Sequence, residues 1–218
     1  DFCLSRGLGD VYKRQGNSIA VDASGNVYTT GYFSGTVDFD PGAETANLTS
    51  VGQFDVFVQK LDASGNYQWA RSFGSNLNDV GQSVAVDASG NVYTTGRFRG
   101  TVDFDPGAGI ANLTTAGQDD IFVHKLDASG NYLWAKRFGG SSGENVNFIT
   151  LDALGHVYTT GAFQGTVDFD PGVATFNITS ISGSFDGFVQ KLDASGNFMW
   201  ARSLGGNSDD DGRSIRVN

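Results

Sequence analysis

The sequence predicts an all-β fold, a β-propeller fragment of three four-stranded antiparallel blades followed by the first strand of a fourth. Three observations predict it. First, the chain repeats itself: Gly25-Asn26-Val27-Tyr28-Thr29-Thr30-Gly31 returns at 90–96 and, with one change, at 155–161, and Thr36-Val37-Asp38-Phe39-Asp40-Pro41-Gly42 returns unaltered at 101–107 and 166–172. Self-similarity at a fixed period is the mark of stacked repeats. Second, short β-branched and aromatic runs alternate with Gly, Asn and Asp turns, and helix-period stretches are lacking. Third, the runs are apolar on both faces, so each sheet needs a neighbour on each side. Four-stranded sheets stacked face to face make a propeller; a β-solenoid would have shorter turns and parallel strands.

Internal alignment sets the boundaries. Three full units span 16–80, 81–145 and 146–211, with one extra residue near Ile181-Ser182 in a polar loop. Residues 212–218 match 81–87 and are expected to be the first strand of a truncated fourth blade. Residues 1–15 fit no unit and resemble translated sequencing-adapter sequence, so they are expected to be a non-native lead-in outside the fold. This sets aside Cys3, the sole cysteine.

In the middle unit Ser83–Asp87 reads as the first strand and Ala88–Asn91 as a turn. Val92–Phe98, Asp120–Leu126 and Tyr132–Phe138 follow as the second, third and fourth strands. In the third strand, Ile121 and Val123 should face one way, Phe122 and Leu126 the other. In the fourth, alternation puts Tyr132, Trp134 and Phe138 on one face. Each Asp-x-x-Gly-Asn turn has a mechanism: the Asp accepts hydrogen bonds from N–H groups two or three residues on, and Gly and Asn tolerate positive φ. His156 replaces the Asn in the third unit, and His too is enriched at positive φ.

Composition narrows the partners. The formal net charge is −10, which argues against nucleic acid, whose phosphates need Lys and Arg, and against anionic membranes. No run approaches the ~18 apolar residues of a membrane helix. Aromatic residues make up 12% of the chain, too many for a disordered segment.

The residues Asp-x-x-Gly-Asn-Val-Tyr-Thr-Thr-Gly and Phe-Val-x-Lys-Leu-Asp-x-x-Gly-Asn resemble the bacterial seven-bladed β-propeller repeat family, abbreviated SBBP. The resemblance covers essentially all of 16–218. It implies a propeller in a large secreted or surface protein of undefined activity. The Gly-Thr-Val-Asp-Phe-Asp-Pro-Gly segment departs from the family pattern, replacing a more variable loop.

That segment carries the chief metal candidate. Asp38 and Asp40 flank Phe39, and the pair recurs as Asp103/Asp105 and Asp168/Asp170. Alternation projects both carboxylates together, as a calcium site would use them, although backbone carbonyls and water would have to supply most of the six to eight oxygens. The other reading is a hairpin whose second Asp accepts turn N–H bonds before a Pro-Gly corner. Asn47-Leu48-Thr49 and its two counterparts read as strand alternation rather than glycosylation sites. Trp69, Trp134 and Trp200 recur mid-strand and are expected between blades rather than against sugars.

Catalysis is not expected. His124 and His156 fall at unrelated repeat positions, where the other units carry Gln59 and Gln190, and Asn26 and Asn91. No nucleophile elbow, phosphate loop or paired-histidine motif is present. Variation does concentrate at one locus after Thr-Thr-Gly: Tyr32, Arg97 or Ala162, then a shared Phe, then Ser34, Arg99 or Gln164. Repeat proteins tune binding surfaces in this way, which makes Tyr32, Ser34, Arg97, Arg99 and Gln164 the ligand-binding candidates; drift at a solvated position is the other explanation.

The expected protein is a non-catalytic scaffold, secreted or on a bacterial cell surface, whose blade loops bind protein or glycan. An accessory propeller of a larger secreted hydrolase and a calcium-stiffened surface array are the alternatives. Three blades leave two sheet faces open. At on the order of 500 Å² each, wetting either one costs roughly 12 kcal/mol, comparable to the net stability of a domain, so the fragment alone should self-associate.

Overall fold

The computed structural model of the chain describes residues 13–217. Residues 1–12 of the expected lead-in, and Asn218, lie outside the described residues. The first unit runs β1 (Lys13–Val21), β2 (Val27–Ser34), β3 (Thr36–Asp38), β4 (Asn47–Thr49), β5 (Asp55–Leu61) and β6 (Tyr67–Phe73). Its four-stranded antiparallel sheet has the order β1-β2-β5-β6, and β3 and β4 form a hairpin inserted between the second and third strands. The second unit comprises β7 (Val80–Val86), β8 (Val92–Asp103), β9 (Asn112–Leu126) and β10 (Tyr132–Gly140), with the hairpin arms continuous with β8 and β9. The third runs β11 (Asn145–Leu151), β12 (Val157–Phe163), β13 (Thr166–Asp168), β14 (Asn177–Thr179), β15 (Asp186–Leu192) and β16 (Phe198–Leu204), in the sheet order β11-β12-β15-β16. The chain is all-β, with three four-stranded antiparallel blades.

Each recurring motif has a local reason. In Thr-Thr-Gly the second Thr donates its hydroxyl to a carbonyl of the third strand: Thr30 to Phe57 at 2.8 Å, Thr95 to Phe122 at 2.7 Å and Thr160 to Phe188 at 2.6 Å. The Gly that follows lies beside a bulge in the first strand, and a Cβ on Gly31, Gly96 or Gly161 would run into the carbonyl of Gln15, Val80 or Asn145.

The Asp-x-x-Gly-Asn turn is a hub. Asp22 Oδ1 accepts from the N–H groups of Ser24 and Asn26, both at 2.9 Å, and Oδ2 accepts from the Asn26 side-chain amide at 2.8 Å and the Tyr28 hydroxyl at 3.0 Å. The donors therefore lie two and four residues on, not two or three. Only the Gly takes positive φ, +82° at Gly25. The Asn is present for its side-chain donor, so the expectation for His156 is corrected too: its Nδ1 lies 2.7 Å from Asp152 Oδ2, where the other units place the amide nitrogen.

The sheets stack as consecutive blades. β7 packs against β1 and β2, and β11 against β7 and β8. The first strands also exchange hydrogen bonds: Asn17 Nδ2 donates to the Gly81 carbonyl at 2.8 Å, and the Ile149 N–H donates to Ser83 Oγ at 3.3 Å. Phe122 and Leu126 join a core with Tyr28, Val56, Val58 and Phe73 of the first unit. Ile121 and Val123 join the core of the third unit with Val146, Phe163, Phe169 and Phe188. One strand thus feeds both seams, as alternation requires.

The inserted hairpin completes these cores. Phe39, Phe104 and Phe169 fold back onto Phe33, Phe98 and Phe163, with centroids 5.3, 5.3 and 5.2 Å apart and rings near perpendicular. Phe57, Phe122 and Phe188 close each trio at 5.1–5.3 Å. Phe73 of β6 then packs on the second trio, and Phe138 of β10 on the third. Edge-to-face aromatic pairs contribute about 0.5–1.5 kcal/mol each beyond their buried area.

Two sequence expectations change. The lead-in does not extend to residue 15: Lys13, Arg14 and Gln15 pair with Ser34, Phe33 and Tyr32. Backbone ladders do not depend on side-chain identity, so β1 extends as far as β2 offers partners. In β10 a bulge between Tyr132 and Trp134 breaks the alternation. Tyr132 therefore faces the core of the second unit, while Trp134 and Phe138 face that of the third. Among the described residues, none after β16 forms the expected first strand of a fourth blade, but Gly212 sits against Thr160 and Gly161, as Gly81 sits against Thr30 and Gly31.

His124 is wholly buried among Phe73, Phe104 and Tyr132. At its position Gln59 and Gln190 donate Nε2 to the carbonyls of Phe39 and Phe169, at 2.5 and 2.6 Å. His124 faces the corresponding Phe104 carbonyl without a well-formed hydrogen bond. Burial lowers its pKa to about 3, against the opposing pull of that carbonyl. Below its ordinary value of 6.5 the unfolded chain takes up a proton that the folded chain refuses. The stability held above that pH is lost as pH falls toward 3, by about 2 kcal/mol at pH 5. In melts compared between about pH 7 and about pH 5, His124→Gln is expected to lose roughly 4–8 °C less than the wild type. Parallel pH curves would contradict this account.

Candidate functional site

The end of each second strand, where the hairpin leaves the sheet, gathers the varied residues. Tyr32 and Ser34 share a face of β2, opposite the buried Phe33. The Tyr32 ring meets Phe54 edge-on at 4.9 Å, and the Lys13 ammonium lies 5.4 Å from its centre. Arg97, half-buried on β8, has no ion-pair partner among the described residues. Arg99 is tied into the scaffold: its Nε lies 2.8 Å from Asp119 Oδ1, its N–H donates to Asp79 at 2.9 Å, and its carbonyl accepts from Ser75 Oγ at 2.9 Å. Gln164 donates to the Gly183 carbonyl at 2.6 Å. Within this locus Arg97 therefore carries the uncommitted charge.

The paired carboxylates of the hairpin turn toward their own backbone. Asp38 Oδ1 accepts from the N–H groups of Asp40 and Ala46, at 3.0 and 2.9 Å, and Asp40 Oδ1 accepts from Gly42 at 2.6 Å. Asp103 and Asp105 do the same, as do Asp168 and Asp170. Each first Asp bridges the two arms of the turn, and each second Asp holds the Pro-Gly corner. Among the described residues, no group of three or more His, Cys, Asp or Glu side chains comes together as a metal site would need.

Trp69 lies between blades, its Nε1 donating to the Ala128 carbonyl of the next unit at 3.2 Å. Trp134 and Trp200 meet Tyr93 and Tyr158 edge-on. His124 is sealed in the core and His156 is committed to its turn, so neither faces an open cleft with a nucleophile.

Sequence reasoning missed a set of buried acids at the seams. Asp55, Asp120 and Asp186 open the third strands, each 0–1% exposed. Asp79 and Glu144, also buried, and the exposed Asp210 stand at the crossing from one unit to the next, where each N–H donates to a carbonyl just before the third strand. Asp79 Oδ2 accepts from Ser75, Glu144 Oε2 from Gly140 and Asp210 Oδ2 from Gly206. The available signal was an acid at one repeat position in all three crossings; the first unit carries Arg14 there.

A family model described as beta-propeller repeat (SBBP) matches residues 8–32 and 68–97. The second match runs from the second residue of β6 through the crossing and β7 to the first half of β8, ending at Arg97. An uncharacterised WD repeat-containing protein of Acanthamoeba polyphaga mimivirus is 24% identical over 91% of this chain and 16% of its own length. The regulatory protein FlaEY of Caulobacter vibrioides is 28% identical over 80% of this chain and 18% of its own. The chain thus spans under a fifth of each of these relatives.

Chelation separates a hairpin held by its own amides from one held by metal. EDTA is expected to leave the melting temperature unchanged, and Asp103→Ala is expected to destabilise by about 1–3 kcal/mol, as two turn amides lose their acceptor. A chelator-induced drop that Asp103→Asn with Asp105→Asn abolishes would establish calcium instead.

Proposed function

We propose that this chain is a non-catalytic propeller scaffold of a secreted or surface-attached bacterial protein, and that it binds a protein partner, or a surface glycan, at the face where the hairpins emerge. The observation carrying this reading is the contrast between a uniform scaffold and one varied locus. Thr30, Thr95 and Thr160 make the same bond in every unit, whereas Tyr32, Arg97 and Ala162 differ at matched positions. Arg97 offers a guanidinium without an ion-pair partner among the described residues, suited to an acidic group. The relatives, a WD repeat-containing protein and a regulatory protein by name, favour interaction over catalysis. Location at the cell surface rests on the family resemblance alone.

Because this chain spans so little of its relatives, an accessory role beside a catalytic module elsewhere in a longer protein is the second reading. In either case the outer blade faces seek a cover. Ile19 and Val21 are 66% and 57% exposed, while Val84, the counterpart of Ile19, is 5% exposed against the preceding blade.

Two measurements test these points. In a panel of surface polysaccharides and acidic peptides, Arg97→Ala is expected to weaken the bound member roughly tenfold without changing the melting temperature. Unchanged binding by both Arg97→Ala and Tyr32→Ala would move the site elsewhere. In light scattering the wild type is expected to self-associate with concentration, and Ile19→Asp with Val21→Asp to shift it toward monomer; a monodisperse wild type would show that the open faces do not govern assembly.

A further inference from the structure

The seam between the second and third units holds two acids whose hydrogen bonding is incomplete. Asp120 is fully buried: its Oδ2 accepts from the Ala116 N–H at 2.9 Å and from Arg137 Nη1 at 2.6 Å, while its Oδ1 has no partner. Glu144, 2% exposed, accepts from Gly140 through Oε2, and its Oε1 has no partner. The two are neighbours: the Asp120 carboxyl lies against Gly139, the Glu144 carboxyl accepts from the adjoining Gly140, and the Glu144 N–H donates to the Asp119 carbonyl at 3.0 Å. Two buried acceptors cannot satisfy each other unless a proton lies between them.

We propose that Asp120 and Glu144 share one proton across this seam, so that the joint is closed while the proton is bound and loosens when it leaves. With the proton on Glu144, its Oε1 donates to Asp120 Oδ1 and both orphaned atoms are satisfied.

The surrounding charges favour a proton over a metal ion. From β9, Asp119 is already paired with Arg99 of β8. From β10, the Arg137 guanidinium occupies one oxygen of Asp120 and would repel a second cation. From β11, the adjoining side chain is the neutral Asn145, whose Oδ1 also lacks a donor. The corresponding acid of the first seam is better supplied: Asp79 accepts from the Ser75 N–H, the Ser75 hydroxyl and the Arg99 N–H. Asp79 thus has three donors where Glu144 has one.

Burial pushes the Glu144 carboxyl up to about 8, against the Gly140 N–H and with the charges of Asp120 and Asp119 adding to the rise. A folded-state value above the ordinary 4.5 means that the folded chain binds the proton more tightly than the unfolded one. The contribution is complete below that ordinary value and is lost as pH rises through about 8. Above it, the opening equilibrium of the seam rises about tenfold per pH unit.

The test is a carbon-13 titration of the glutamate carboxyls. The chain contains two glutamates, Glu44 on an exposed hairpin tip and Glu144, so Glu144→Gln assigns both resonances. The expected Glu144 midpoint is about 8, with a wild-type melting temperature that falls between about pH 6 and about pH 9.5 while Glu144→Gln stays level. If that variant does not fold, a soluble spin label assigns the resonances in the wild type by broadening Glu44 alone. A midpoint in the ordinary glutamate range would overturn the proposal. So would a chelator-reversible shift of the Glu144 resonance by calcium at neutral pH, which would make the seam a cation site.

Discussion

The structure depends on the packing of one Phe from the outer strand of each of the first two units against two aromatic side chains of the following unit. Phe73 meets Phe104 and Phe122, and Phe138 meets Phe169 and Phe188. At both seams the core is shared between neighbouring blades, and only the leading trio of the first unit packs within its own unit. The inserted hairpin matters because its Phe completes the trio, and its polar residues serve mainly to fold that Phe back. The carboxylates of Asp38, Asp103 and Asp168 are therefore best understood through the backbone they hold, and the Gln or His of the third strand through the carbonyl beneath it. At the open leading face this logic is interrupted. The Arg14 guanidinium lies 5.0 Å from the centre of Phe39 and 5.8 Å from that of Phe57, on the trio that has no preceding outer-strand Phe among the described residues.

Much of the fold was legible because it is periodic. Strand number, strand order and the two faces of β9 follow from Val, Ile and Phe at alternate positions and from Gly-Asn turns at fixed offsets. What escaped was conformation that alternation does not encode. The β10 bulge turns Tyr132 away from Trp134, and nothing in Tyr-Leu-Trp announces an extra residue on one strand. His156 was misread because His and Asn were compared by backbone tolerance; both act through a side-chain nitrogen reaching the same Asp oxygen. Residues 13–15 were set aside by side-chain mismatch, yet a ladder needs only backbone.

The candidate site was legible only as a contrast among units. Comparing Tyr32, Arg97 and Ala162 locates a variable position, but sequence could not show that Arg99 is spent on Asp119 and Asp79 while Arg97 is not. The seam acids were harder to see. In a chain with this many Asp residues, one more at the start of a strand looks like solvated charge, and only burial separates Asp120 from Asp127. Acids placed where an amide or a proton can reach them let an acidic chain bury carboxylates without a matching number of cations.

The first two units each carry an aromatic trio and an outer-strand Phe that inserts into the next trio; the third carries the trio, with Leu204 at the outer-strand position. Unit length can therefore be treated as a quantum of evolution. Unequal crossing-over between two copies of the repeat, in register, removes or adds a whole blade and leaves every remaining joint chemically unchanged. A core assembled from non-repeating parts has no such freedom, because each gain or loss would have to be matched by compensating change elsewhere.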